Sequence, residues 1–381
     1  MQLSTNHILT THVGSLPRPQ AVVDLLLRKE LGETYDLGEF ADTMHEAVAR
    51  IVERQVTLGI DVVSDGETSK IGYATYIKDR LSGFGGDFKP KPHLDLREHP
   101  RFREKMTAFL GPQTFRRMCC VGPIQIVERQ SLEDDINNLR SAIAKAGASE
   151  GFMNSASPGV VASFQPNAYY PTHQAYIEAI AEVMKEEYEA IVSAGLLLQV
   201  DCPDLAMSRH TGFQDLTDAE FLKTVEHHVE ALNYALSNVP AKSVRMHICW
   251  GNYEGPHDHD IPLERIIALV LKAKPQAISF EASNPRHAHE WTVWKESRIP
   301  DDKVLIPGML DSSTNFVEHP ELVAQRIGQF ADIVGRERVL AGTDCGFGTF
   351  AGLGKVDPDI AFKKLSSLVQ GASIASKRLW N

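Results

Sequence analysis

Val244-Arg245-Met246-His247-Ile248-Cys249-Trp250-Gly251 is a short apolar run that breaks into glycine and is followed, from Pro262 to Ala273, by a stretch with helical spacing. Side chains along a strand alternate faces, so His247 and Cys249 project one way and Ile248 faces a helix layer. The same beat recurs along the chain: a short apolar run, a polar or glycine-rich turn, then a longer amphipathic stretch. The other runs are Leu9 to Ser15, Ile60 to Glu67, Gly151 to Gly159, Leu196 to Pro203, Ala277 to Ala282, Val304 to Asp311 and Val339 to Gly346, eight in all. Helices are expected over Leu37 to Leu58, Gln174 to Ala194, Asp218 to Leu236, Pro320 to Val334 and Asp357 to Arg378. Strands alternating with helices imply a parallel sheet covered by helices, and eight such units predict an α/β fold of the (β/α)8 TIM barrel type. An open doubly wound sheet is the alternative, but no G-x-G-x-x-G turn follows the first run.

One interval, residues 75–150, exceeds a single βα unit. It holds Lys89-Pro90-Lys91-Pro92-His93, an apolar run from Met118 to Val127 and a polar helix around Leu132 to Ala146. It reads as a long insertion after the second strand, a hairpin plus a helix folded over a single barrel domain spanning 1–381.

The 381 residues carry 39 Lys and Arg against 50 Asp and Glu, a net charge of -11, with 43% hydrophobic residues. An acidic chain without a basic run is a poor partner for phosphate backbones, which excludes nucleic acid. The longest apolar stretches, such as Ala194 to Val200, fall well short of the roughly 20 residues of a membrane span. The N-terminus lacks the basic start and apolar core of a signal peptide, so a cytoplasmic location is expected. Five cysteines, two of them adjacent (Cys119 and Cys120), argue against a disulfide framework and leave metal binding or reactivity as the special use.

In a TIM barrel reactive groups sit at the C-terminal ends of strands. Here those ends read Gly14-Ser15, Asp65-Gly66-Glu67, Asp201-Cys202, His247-Ile248-Cys249, Phe280-Glu281, Leu310-Asp311 and Asp344-Cys345. His247 and Cys249 offer two metal donors to one space, with Glu281 on the next strand and Cys345 on the last; together they suit a tetrahedral zinc. The competing reading is a satisfied core histidine and small buried cysteines. Two thiolates and a carboxylate would make a zinc site of negative charge, ill suited to ionising water but suited to holding an incoming thiol as the thiolate nucleophile.

These motifs, with Gly14-Ser15-Leu16-Pro17, Gln199-Val200-Asp201 and Ser279-Phe280-Glu281 in the same order, resemble the catalytic domain of the cobalamin-independent methionine synthase family across essentially the whole chain. The resemblance implies Zn2+ held by His247, Cys249, Glu281 and Cys345. It implies that Gly14, Ser15, Glu67 and Asp201 hold the amino and carboxylate groups of a homocysteine-like thiol, and it places Glu281 and Asp311 in catalysis. Glu281 would leave the metal as thiol enters. The chain resembles only the catalytic one of the long enzyme's two barrels. It also reads Asp311-Ser312-Ser313, where the long enzyme has a histidine two residues after the aspartate that helps protonate the folate. The expectation is therefore a zinc-dependent transferase methylating homocysteine from a folate or another donor. The alternatives are an alkyl transferase of the epoxyalkane:coenzyme M kind and a non-catalytic zinc-containing ligand-binding barrel. Expected partners are a small thiol and a methyl or alkyl donor, with no nucleic acid and no membrane, in a chain able to form a homo-oligomer.

Overall fold

The computed structural model describes residues 1–110 and 116–381; residues 111–115, part of the expected insertion, lie outside the described residues. Six strands, Val62–Ser64, Glu150–Ala156, Leu197–Asp201, Val244–Ile248, Ala277–Phe280 and Val304–Pro307, pair in that order as one curled parallel sheet. Asp201 stands opposite His247, and His247 opposite Ser279, so these three positions lie at one level of the sheet.

The first and eighth runs close the (β/α)8 barrel by isolated parallel bridges, Thr10 to Ala341, Leu305 to Val339 and Gly308 to Gly342, in place of the expected regular strands. The reason is local. The Asp61 carboxylate accepts from the Thr10 amide (2.7 Å) and the Thr343 hydroxyl accepts from the Val13 amide (3.2 Å), so side chains take donors that a regular ladder would use. The remaining amides still bridge the gap: Ala341 donates to the Leu9 carbonyl (2.8 Å) and Val62 to that of Thr10 (3.1 Å).

Leu9, Val62, Phe152, Leu197, Ala277, Val304 and Leu340, one residue from each of seven runs, gather with Ile306 in an apolar layer at the lower end of the barrel. The one remaining run, Val244 to Gly251, contributes Arg245 instead. Its guanidinium lies 4.0 Å over the Phe152 ring and donates to the Thr11 hydroxyl (2.8 Å) and the His12 carbonyl (2.7 Å). Outside the sheet the helices form as their patterns dictate. Leu37–Leu58 starts where the Asp36 side chain accepts from the Glu39 amide and ends at Gly59 in the left-handed region, burying Met44, Ala47, Val48, Ile51 and Val52. His173–Ser193, Asp218–Ala235, Leu263–Val270, Pro320–Val334 and Pro358–Trp380 continue the ring, Asp218–Ala235 opening on a Thr217/Glu220 capping box. Among the described residues no helix is long and apolar enough to cross a membrane.

The stretch after the second strand holds helices Ile77–Arg80, Leu94–Glu98 and Pro100–Leu110 and an antiparallel pair, Phe84–Gly85 with Cys119–Cys120. The helix Gln130–Ala146 packs on Leu37–Leu58 and beside the Glu150–Ala156 strand, so it belongs to the outer helix ring instead of lying over the barrel mouth. Arg80 fixes the start of this stretch, donating to Asp135 (2.6 Å) and Glu187 (2.9 Å), all three side chains being buried. Removing one partner of such a group strands the others' charge away from water. Arg80→Met is therefore expected to destabilise the protein by about 3–5 kcal/mol in urea titrations. A loss below about 1 kcal/mol would show the lock to be dispensable.

Candidate metal and thiol site

His247 is the last residue but one of its strand, Cys249 follows two residues later on the same face, and Cys345 lies near the end of the eighth run. One donor atom from each falls within 4.8 Å of the others, and all three residues are buried. The two sulfurs are 3.8 Å apart. Zinc bonds thiolates at about 2.3 Å, which places two sulfurs of a tetrahedron at about 3.8 Å, so the pair fits that metal without rearrangement. Neither ring nitrogen of His247 has a hydrogen-bond partner, and burying both in that state is costly unless something else occupies one of them. Burial, with the Arg245 charge beneath it, presses the imidazole pKa down to about 3, while the Ser279 backbone opposes weakly at a geometry short of a hydrogen bond. The ring is thus neutral, the form that ligates metals. The Cys249 thiol is held well above its ordinary range, first by its hydrogen bond to Cys345 and then by burial. A cation at this spot is what would allow both sulfurs to ionise.

Glu281, expected as the fourth donor, stands apart from this cluster of three. Its oxygens accept from the Trp250 amide and the Asn284 side-chain amide, each at 2.7 Å. It does face the same cavity as Cys345, a space of ≈ 320 Å³ walled by the 251–257 and 311–314 loops and Asp344. Asp311 reaches that cavity too, with its carboxylate engaged by its own turn: Ser313 donates to it through both backbone and hydroxyl (2.8 Å each), and the Thr314 hydroxyl does so at 2.6 Å.

The other predicted residues meet on the opposite side of the mouth. Ser15 is buried against the loop after Cys345: the Gly348 amide approaches its hydroxyl at 3.4 Å, and a Cβ at Gly346 would lie 2.0 Å from that oxygen. Gly14, at φ +146°, has the Asn154 side chain where a Cβ would be, 2.3 Å away. Glu67 adopts φ +53°, uncommon for a residue with a side chain, within a turn clamped by Arg18, which donates to the Glu67 carbonyl (2.7 Å) and the Lys70 carbonyl (2.9 Å). Arg18 thus serves the site's backbone, whereas Arg209 pairs with Asp218 at 2.9 Å. One carboxylate oxygen of Glu67 is buried with no partner. Burial and the nearby charge of Asp201 push its pKa up to about 8, while burial raises Asp201 to about 6 against amide donation from Asn154 (2.9 Å) and Gln199 (2.8 Å). Glu67 keeps its proton at neutral pH because burial and the Asp201 charge outweigh the opposing charges of Lys70 and Arg18. Tyr73 ties the two halves together: burial holds its phenol well above the ordinary range, and Cys249, Cys345 and Asp201 all add to the effect.

Two participants carry no motif: Asn154 sits mid-strand and Asn252 in a loop. Asp344, from the Asp344-Cys345 motif, accepts from the Ala282, Ser283 and Asn284 amides (2.8–2.9 Å) and so ties the strand ends together. The histidines after the fifth and sixth runs serve mainly as scaffold. Asp260 accepts from His257 (2.8 Å) and His287 (3.0 Å), and Trp250 stacks on His287 at 4.3 Å. The 165–171 segment packs on the helix that follows it, Tyr170 stacking on Tyr176.

Fold and site together define a (β/α)8 barrel with a cluster of buried soft donors and a buried carboxylate pair at one mouth. The family model for the catalytic domain of cobalamin-independent synthase matches residues 8–89. A methionine synthase of Saccharolobus solfataricus is 25% identical over 375 residues, covering 97% of this chain and 95% of that protein. One from Sulfolobus acidocaldarius is 24% identical over 97% of this chain and 93% of its own length. Among solved structures, a B12-independent methionine synthase from Shewanella sp. in complex with selenomethionine superposes with a TM-score of 0.74 at 21% identity, covering 98% of this chain and 99% of that one. In sequence and fold the chain is thus similar to the cobalamin-independent methionine synthases, in line with the order of its motifs.

Proposed function

We propose that the protein is a zinc-dependent methyltransferase whose acceptor is homocysteine or a close thiol analogue. The observation that carries this reading is the buried His247, Cys249 and Cys345 cluster set across one mouth from the buried carboxyl groups of Glu67 and Asp201. His247, Cys249 and Cys345 are suited to hold the metal, with Glu281 beside them as the replaceable fourth donor. Bound there, zinc would keep an incoming sulfur in its thiolate form at neutral pH. Asp201 and Glu67 would take the substrate ammonium, which lets both carboxylates ionise. The Ser15 hydroxyl and the backbone around Gly14 are placed to meet the carboxylate. Tyr73 and the cavity walls exclude water from the sulfur. The relatives named methionine synthase support the acceptor, and the carboxylate pair favours an ammonium-bearing thiol over a sulfonate thiol such as coenzyme M.

A panel of homocysteine, coenzyme M and glutathione, scored by heat stabilisation of the zinc-loaded protein, tests the reading. Ligand at 100 times its Kd should add about 2.7 kcal/mol of stability. Homocysteine is expected to stabilise most and to accept labelled methyl from a folate or another donor. Stabilisation by coenzyme M alone, or by none of the three, would refute it.

A further inference from the structure

When a thiolate takes a carbon from nitrogen or oxygen, the S–C bond forms with the sulfur electron pair and the C–N or C–O bond breaks. The departing atom keeps that pair and must then gain a proton. Few groups around the mouth can supply one. Asp311 is held by Ser313 and Thr314, and Asp344 by backbone amides. Both nitrogens of His257 are engaged, by Asp260 and by the Tyr253 carbonyl (2.9 Å), and the Tyr253 hydroxyl donates to Asp95 (2.5 Å). Arg286 is an exposed guanidinium, which does not release protons near neutrality.

A second cavity, ≈ 490 Å³, adjoins the first and shares Glu254, Ser313 and Thr314 with it. Two lysines line it. Lys105 is solvent-exposed on the Pro100–Leu110 helix, whereas Lys355 is partly buried. The Lys355 ammonium donates to the Asn252 carbonyl at 2.7 Å, and among the described residues it makes no ion pair. Two of its three N–H groups are therefore left over. Asn252 is itself anchored on both sides, donating to the Gly346 carbonyl (2.8 Å) and accepting from the Ser312 hydroxyl (3.0 Å). The ammonium is thereby fixed beside the loops that follow Cys345 and Asp311. Burial lowers its pKa to about 8 against the opposing charges of Cys345, Glu254, Cys249 and Asp311, a value suited to giving up a proton and regaining it from water.

We propose that Lys355 is the general acid of the transfer, protonating the nitrogen or oxygen that departs as the carbon moves to sulfur. This rests on the thiol-alkylation reading above. The proton leaves the Lys355 Nζ, and the neutral amine is reprotonated from solvent.

The test measures S-alkylation of homocysteine by zinc-loaded protein with three donors. Methyl iodide releases iodide and needs no proton; 5-methyltetrahydrofolate and epoxypropane release nitrogen and oxygen that do. The quantity read is the ratio of the rate with the better proton-requiring donor to the rate with methyl iodide. Lys355→Met is expected to lower that ratio by about 10²–10⁴-fold. Lys355→Arg, which keeps the charge but not the releasable proton, should lower it comparably and guards against a packing defect in the first variant. A ratio unchanged within about threefold overturns the proposal, as does wild-type protein that accepts methyl iodide but neither of the other donors. If wild-type protein fails even with methyl iodide, the thiol-alkylation reading itself falls.

Discussion

If the wild type holds the one zinc per chain proposed above, Cys249→Ser protein is expected to emerge from purification with less than about a tenth of it. A serine hydroxyl stays protonated at neutral pH and is a poor match for a borderline-soft metal, so the substitution removes a negative ligand as well as a bond. Loss of a mere outer-shell partner costs about 10–100-fold in metal affinity, and loss of a direct thiolate should exceed that. The effect should also be visible in stability. Metal at 1,000 times its Kd adds about 4 kcal/mol to the native state, so chelation should lower the melting temperature of the wild type and leave the variant nearly unmoved. Elemental analysis and paired melting curves with and without chelator decide the matter. Full zinc content in a Cys249→Ser, Cys345→Ser double variant would remove the basis of the proposed chemistry.

Glu67→Gln should change both stability and proton traffic. In the fold Glu67 keeps its proton up to about pH 8, whereas in the unfolded chain it ionises near 4.5, so the native state binds the extra proton between these values. Stability conferred on the empty protein must therefore fall as pH rises from about 4.5 to 8. The variant, which cannot ionise, should match the wild type near pH 4.5 and exceed it by roughly 2–4 kcal/mol at pH 8. Binding should move the other way. An ammonium between Glu67 and Asp201 would expel the Glu67 proton, so homocysteine should release up to two protons from the wild type at pH 7, one from its thiol and one from Glu67. The glutamine variant should release only the thiol proton and bind homocysteine about 100-fold more weakly. Calorimetry in buffers of different ionisation enthalpy separates the two. Equal proton release from both proteins would dissociate the pair from the ammonium.

Those two experiments concern residues whose types and positions were legible in the sequence, because period-two alternation and strand-end placement are properties of the chain itself. His247 and Cys249 could be assigned to one face from their spacing alone. Cys345 required the barrel, since its distance from them is set by closure and not by any local pattern. Glu281 was read as a coequal donor; the Trp250 amide and the Asn284 side chain, which hold it apart from the other three, depend on how two loops meet. The same holds for the seams: nothing local says that Asp61 and Thr343 will take ladder donors from runs one and eight. Gln130–Ala146 looked like part of a covering layer because its polar face dominates the sequence, yet Leu132, Ile136 and Leu139 bury it in the helix ring. Asn154, Asn252 and Lys355 belong to no motif, and their roles arise only from approach in space.

The bridges that close the barrel join residues as far apart in the chain as Val13 and Thr343, a separation of 330 positions, and Ser15 meets Gly346, the residue after Cys345, at that same junction. Closing so long a loop defers its reward until nearly the whole chain has been ordered. The pocket is in this sense a keystone: it exists only once the first and last staves have been drawn together. Its side-chain-mediated bridges are also a place where local opening should be easier than in the six-stranded sheet. A substrate whose carboxylate lies at Ser15 and whose sulfur lies near Cys345 would span both sides of that junction, so occupancy of the pocket and closure of the barrel would reinforce one another.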